Sequence, residues 1–446
     1  MSIFLLPNIA YDIQDEDIEF KMIRSTPDAF ISNSLCEMLS RTKLQIEPIE
    51  NSWDNYKKLT NPYEFIHTVV PGCKTQVSRM KPLSRSFYKM IEICTQFNLC
   101  KGDKCCKSIG NGHGRDGNND CVFLNHHFGS DSNSCVNNHN SFMQFVTSPE
   151  ESSFPAHHSE PMSSFHLAEG PGGFIEAVCH MRKNPNDVYY GMTLVNNDSK
   201  CPGWKKSKNF LEENRNVIIE KGLDETGNLL SVENFEYCYK KYGGTMDLIT
   251  ADGGVDFSEN FNDQEHTATK LIIAQVIYAI SMQSTGGNFV LKVFDIFSNA
   301  TVDVLYLLSS LYKEVYIMKP KTSRYANSEK YVICKGFNLN NTFNKKLIYK
   351  FHDNFHNLNS ESNIETFFNF KHDRAYLTRV EEINAIFGEN QIENIISTLN
   401  LIMNKSTEKN ENLKKANIQK CVQWCEKHNI SHHKVIQTVN IFLQFG

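Results

Sequence analysis

Basic residues are not in excess in this chain: 46 Lys and Arg stand against 51 Asp and Glu, a net charge of −5 over 446 residues. That balance excludes a generally basic nucleic-acid coat protein, although a local basic groove on an acidic enzyme stays compatible with it. Long apolar runs are also missing. The longest, Leu271–Ile280, is half the roughly 20 residues that a membrane helix needs. The segment Met1–Ala10 is apolar but has no basic flank and runs into Asp12, Asp15, Glu16 and Asp17, so it does not read as a secretory leader. Tryptophan is scarce, with 3 residues, yet 30 Phe and 17 Tyr supply ample material for a core. Fourteen cysteines without an extracellular signature read as reduced thiols rather than a disulfide framework. A reducing compartment follows, the cytoplasm first, with the nucleus or a viral replication site left open.

Four regions separate by composition. Residues 1–75 form an N-terminal extension of mixed character. Cys100–Asn140 is dominated by Gly, Asn, Asp, His and Cys and reads as an inserted loop. Between Phe165 and Phe337, short β-branched or aromatic runs alternate with helix-period segments. After Lys345 the chain becomes Asn- and Lys-rich with helical patches, and 345–446 is expected to be mainly helical, Lys405–Lys415 reading as a solvated linker or helix face. Strands are predicted at Ser164–Ala168, Val188–Leu194, Val217–Glu220, Met246–Ala251, Asn288–Phe294, Glu314–Met318 and Lys330–Lys335. The clearest helices are Gln264–Gln283 and Val302–Leu311. Such alternation implies an α/β fold with a mostly parallel sheet covered on both faces. The last two strands are joined by too few residues for a crossover helix, so they are expected to pair antiparallel and close the sheet edge.

The turn Ala168-Glu169-Gly170-Pro171-Gly172-Gly173-Phe174 follows the first central strand and opens a helix. Glycines there let the backbone turn sharply and approach a ligand. The spacing is neither that of a P-loop nor G-x-G-x-x-G, and Pro171 removes an N–H that a pyrophosphate would use. A nucleoside cofactor without phosphates, S-adenosylmethionine, fits better. Asp252 ends one strand and Lys292 lies near the end of its neighbour, while Glu329 begins a reversed strand, so all three meet at the same sheet edge. A lysine interrupting an apolar central strand is costly unless paired, and Asp252 and Glu329 are the available partners.

These residues, with Asn61-Pro62-Tyr63-Glu64, Ser84 through Tyr88-Lys89, Gly191–Leu194, Thr226-Gly227-Asn228 and Lys319–Glu329, occur in an order that resembles the FtsJ-like ribose 2′-O-methyltransferases. The resemblance runs from about Lys57 to Phe337 and is nearest to the eukaryotic and viral enzymes acting on capped mRNA. It implies a class I, Rossmann-like methyltransferase domain over 76–340, with a seven-stranded sheet whose last strand is antiparallel. It also implies a catalytic tetrad of Lys89, Asp252, Lys292 and Glu329, in which Lys292 is the base, Asp252 and Glu329 orient it, and Lys89 places the ribose. S-adenosylmethionine would be held by Ser84, Ala168, Glu169, Gly170, Pro171, Gly172, Gly173, Phe174, Asn228 and Leu229. Asn228 departs from the Asp usual near the cofactor adenine.

RNA contacts are expected from Lys57, Ser323, Arg324 and Asn327, with Lys58, Lys205, Lys206, Lys208, Lys319 and Lys321 as further phosphate partners. The extension 1–75 would contribute to the RNA and cap site, and the C-terminal region could dock capping or transcription machinery. Ribosomal or transfer RNA methylation by the same tetrad, and an inactive RNA-binding subunit, are the alternatives. The insertion offers Cys100, Cys105, Cys106, Cys121, Cys135, His113, His126, His127 and His139, more than a structural zinc needs. Their spacing matches no compact knuckle pair, so the residues read as loop and no metal is assigned.

Overall fold

The apolar runs between Ser163 and Phe337 form strands, and these assemble into one sheet. A computed structural model of the chain describes residues 3–9, 13–100, 160–195, 203–254, 263–338 and 341–433. In chain order its elements are β1 (Ile3–Leu5), β2 (Ile18–Ile23), α1 (Asn33–Leu44), α2 (Glu50–Thr60), α3 (Ser86–Phe97), β3 (Ser163–Leu167), α4 (Gly173–Arg182), β4 (Val188–Met192), α5 (Lys208–Glu213), β5 (Val217–Glu220) and α6 (Val232–Tyr242). There follow β6 (Met246–Ala251), α7 (Gln264–Met282), β7 (Gln283–Val293), α8 (Asn299–Leu311), β8 (Tyr312–Met318), β9 (Lys330–Phe337), α9 (Asn341–Asp353), β10 (Asn363–Phe368), α10 (Arg374–Asn404) and α11 (Thr407–Lys427). The candidate zinc ligands of the insertion, Cys100 excepted, lie outside the described residues.

The sheet has eight strands in the order β1-β8-β9-β7-β6-β3-β4-β5. Two expectations are corrected by this order. The last two strands, β8 and β9, pair antiparallel as expected, but the pair does not close the edge: β9 lies between β7 and β8 and is antiparallel to both. The edge is taken by β1, an eighth strand from the N-terminal segment, whose Ile3 pairs with Met318. Three residues carry too little periodicity to be recognised as a strand in the sequence. Of the two readings of Lys405–Lys415 the helix face holds: α11 begins at Thr407, capped by the Ser406 side chain, which accepts from the Lys409 N–H.

Alternation along the central strands sorts side chains into two cores. Phe289, Leu291 and Val293 of β7, with Val332 and Cys334 of β9, join the core built with α7 and α8. Val290, Tyr331 and Ile333 join the opposite core, built with α3 and α4. The run Leu271–Ile280 lies within buried α7, and among the described residues no helix is long and apolar enough to cross a membrane. Nine cysteines in the described residues are free thiols.

The N- and C-terminal regions interleave. Strands β2 and β10 pair antiparallel as a separate ribbon. Helix α10 packs against α1 and α2, its Asn394 donating to the Thr60 carbonyl at 2.9 Å. Helix α11 packs against α2 and the turn Glu64–Ile66.

Candidate active site

Register fixes the first half of the site. Ala251 of β6 lies beside Leu291 of β7, so Asp252 follows immediately next to Lys292. Across β7, Lys292 pairs with Tyr331 of β9, and the period-two alternation puts both side chains on the sheet face covered by α3. Lys292 Nζ donates to the Asp252 carbonyl at 2.6 Å and lies 3.3 Å from its Oδ1. Helix α3 crosses that face and delivers Lys89, whose Nζ is 2.6 Å from Glu329 Oε1 and 2.8 Å from Oε2.

A residue absent from the sequence-based set joins the two pairs. The Tyr331 hydroxyl donates to Asp252 Oδ1 at 2.9 Å and lies 3.4 Å from Lys89 Nζ. Ser323, expected at the RNA, is instead buried and donates to Glu329 Oε1 at 2.7 Å. Burial alone would raise the Glu329 pKa, but Lys89, Lys292 and Arg85 hold it well below the ordinary carboxylate range. Glu329 is thus ionised and directly engaged with Lys89, whereas the direct partner of Lys292 is Asp252. Lys89 is almost fully enclosed, and Lys292, at 11% side-chain exposure, is the more open of the two amines.

The glycine turn lies at the adjoining strand end. Glu169 Oε1 accepts the N–H groups of Phe174 at 2.5 Å and Ile175 at 3.2 Å, capping α4. Its Oε2 is buried and has no hydrogen-bond partner among the described residues. Burial, with the Asp252 charge nearby, pushes this carboxyl's pKa well up. A side chain at Gly173 would collide with the Ser84 and Ser86 hydroxyls, so glycine there admits the start of α3. Gly170 faces Thr193 and Gly203, and Pro171 accepts from the Ser207 hydroxyl through its carbonyl. Gly172 has φ +107°, and a Cβ on it would meet Leu83 and Trp204 at 3.3 Å. A valine there would therefore strain the turn itself before any ligand is considered. Ala168 also has positive φ, at +52°. Phe174 packs under the Tyr331 ring at 5.9 Å between centroids. Leu229 is buried, and the Asn228 side chain accepts the Leu230 N–H at 3.0 Å.

The flanking motifs brace one another. Asn61 Oδ1 accepts from the Tyr325 N–H at 2.7 Å. Glu64 takes two hydrogen bonds from Arg324, at 2.6 Å from Nη2 and 3.0 Å from Nε. Lys319 Nζ donates to Asn327 Oδ1 and to the Glu329 carbonyl, each at 2.9 Å, and to the Asn327 carbonyl. Arg324, Asn327 and Lys319 therefore hold the segment 319–329 in shape, and Lys319 has its ammonium filled rather than free for a phosphate. Lys57 pairs with Asp54. Lys205, Lys206 and Lys208 are exposed.

Residues 151–337 match the family model described as FtsJ-like methyltransferase. The chain carries an FtsJ-like methyltransferase domain. Over 195 residues it is 33% identical to the cap-specific mRNA (nucleoside-2′-O-)-methyltransferase 2 of Drosophila melanogaster, covering 40% of this chain and 27% of that protein. Cap-specific mRNA (nucleoside-2′-O-)-methyltransferase 1 of Homo sapiens is 36% identical over 176 residues, 38% of this chain and 21% of that one. Its Trypanosoma brucei brucei counterpart is 35% identical over 170 residues, 38% and 45% respectively. The chain thus spans less than half the length of each of these relatives. A solved ribosomal RNA methyltransferase structure from Plasmodium falciparum aligns at 16% identity over 57% of this chain and 98% of its own, with a TM-score of 0.32. The FtsJ-like domain contains Asp252, Lys292 and Glu329; Lys89 reaches it from α3, outside the matched residues.

Proposed function

We propose that the chain is an S-adenosylmethionine-dependent RNA 2′-O-methyltransferase acting on the first transcribed nucleotides of capped mRNA. The observation that carries the reading is the pair of ion pairs, Lys89–Glu329 and Lys292–Asp252, linked by Tyr331 at the sheet edge beside the glycine turn. The residues of that turn fit the cofactor: the unpartnered Glu169 Oε2 is a buried acceptor with no protein donor, as a ligand's ammonium group requires. Ser84, Ala168, Gly170, Gly172, Gly173 and Phe174 would shape the pocket, with Asn228 and Leu229 at its far side. S-adenosylmethionine, when bound, supplies an electrophilic methyl group. Lys292, steadied by Asp252, receives the proton of the ribose 2′-hydroxyl, and Lys89 is too tightly held by Glu329 to serve as the base. Lys89 and Glu329 keep the second half of the site rigid, so that the attacking oxygen is held in line. The cap assignment draws on the activity named for the relatives and on the flanking motifs 57–64 and 319–329.

Transfer of a labelled methyl group to capped RNA, with the modified nucleotide mapped, tests the whole reading. Modification within the first two nucleotides, and much weaker transfer to the same RNA bearing a 5′ triphosphate, is the expected outcome. Equal rates on both, or internal modification, would move the protein to ribosomal or transfer RNA substrates. No transfer to any RNA would make it a binding subunit.

A further inference from the structure

One cavity outside the catalytic edge has the chemistry of a nucleotide seat. It encloses about 200 Å³ between α3, α11 and the segment 319–329, and its lining includes Tyr63, Lys321, Lys420, Trp424, Lys427 and His428. That is smaller than the roughly 300–1,000 Å³ typical of closed small-molecule sites and suits one protruding base or phosphate. Lys420 and Lys427 are exposed and lie two turns apart on α11, hence on one face. Lys321 comes from the opposite wall, its Nζ 5.7 Å from the Tyr63 ring centroid. Three cations around one opening depart from a chain whose net charge is −5.

Its aromatic parts are firmly backed. His428 packs on Trp424 at 4.4 Å between centroids. Burial, with Lys427 and Lys321 nearby, pushes the His428 pKa down to about 4, so its ring is neutral near pH 7. Trp424 is buried and donates its indole N–H to Glu92, whose other oxygen accepts the Lys321 N–H at 2.6 Å. Both Glu92 oxygens are thereby engaged, and the open groups are the lysines and the faces of Tyr63 and His428. The cavity is also tied to the catalytic site. Lys321 shares its segment with Ser323 and Glu329, and Thr95 lies six residues beyond Lys89 on α3, on the order of 9 Å along the helix axis.

We propose that this cavity seats single-stranded RNA beyond the methylated nucleotide. Lys321, Lys420 and Lys427 contact phosphate oxygens, while Tyr63 and His428 offer ring faces to a base, the combination by which single strands are commonly held. The inference rests on the RNA reading above but can be tested without methyl transfer. Binding of a fluorescent, uncapped single-stranded RNA to the full chain is measured across a salt series. The double variant K420E/K427E is expected to bind at least tenfold more weakly, with the slope of log affinity against log salt shallower by about 1.4, two single-strand phosphate contacts' worth. Thermal unfolding and cofactor affinity check that the variant is folded. K409E, a charge reversal on the same helix outside the cavity, is expected to leave RNA affinity within twofold. Unchanged affinity and slope in the double variant would overturn the proposal. An equal loss in K409E would overturn it as well, since the effect would then be general charge. RNA binding that depends on the lysines in a chain without transferase activity would keep this site and remove the enzymatic reading.

Discussion

At the scale of single residues, the site is two charge pairs and the hydroxyl between them. Lys292→Ala is expected to abolish methyl transfer while cofactor affinity stays within a few-fold; measuring both by single-turnover transfer and calorimetry separates base from binding residue. Lys292→Arg should fail as well, because a guanidinium does not give up its proton near neutral pH. Tyr331→Phe removes the hydroxyl that donates to Asp252. A hydrogen bond to a charged group contributes roughly 1.5–3 kcal/mol, so turnover should fall by on the order of tenfold or more, with cofactor affinity preserved. Normal turnover in that variant would mean that the two pairs work independently. Asp252, Lys292 and Glu329 were legible in the sequence because strand direction alone brings them to one edge. Tyr331 was not, since a tyrosine in a strand looks like core until its register with Lys292 is known. Lys89 was legible only through family resemblance, because α3 precedes the sheet and nothing local tells where the helix crosses it.

At the scale of elements, the segment 319–329 behaves as a clamped strap. It is held by Asn61 and Glu64 on one side and by Glu92 on another. Arg324 and Lys319, expected at phosphates, are filled by protein acceptors; lysine and arginine composition cannot reveal which cations already have such partners. Arg324→Ala strands the buried Glu64 carboxylate. The expected result is a loss of about 3 kcal/mol in denaturant unfolding, together with reduced turnover as Ser323 and Glu329 loosen. Glu92 gives the strap a pH dependence. Burial raises its pKa to about 7 from the ordinary 4.5, even though Trp424 and the Lys321 N–H pull the other way. The folded chain therefore holds this proton more tightly than the unfolded chain. The associated stability is full below about pH 4.5 and is lost as pH rises to about 7, roughly 3 kcal/mol in all. Glu92→Gln keeps an acceptor for the indole and removes the titration. Its stability relative to wild type should rise over that interval, and parallel unfolding curves for the two proteins would contradict the assignment.

At the scale of the whole molecule, the central strands and the reversed β9 follow from composition and connection length, and the class of fold was legible for that reason. What escaped was everything that depends on distant pairing. The strand β1, the β2–β10 ribbon and the seating of α10 and α11 are each set by partners hundreds of residues away, for which a short segment carries no mark. Polar anchors such as Asn384, which donates to the Ile296 carbonyl at 2.5 Å, look like ordinary helix-surface residues until the tertiary partner is known.

The outermost strand has a consequence for how the chain is made. Ile3 meets Met318 only after about 300 further residues have left the ribosome, a wait of about 15–60 s at ~5–20 residues per second. Until then the apolar Ile3-Phe4-Leu5 stretch is an open invitation to wrong neighbours. A nascent chain halted before β8 is expected to need a chaperone, and it carries the Asp252–Lys292 half of the site on β6 and β7 but not the Glu329 half.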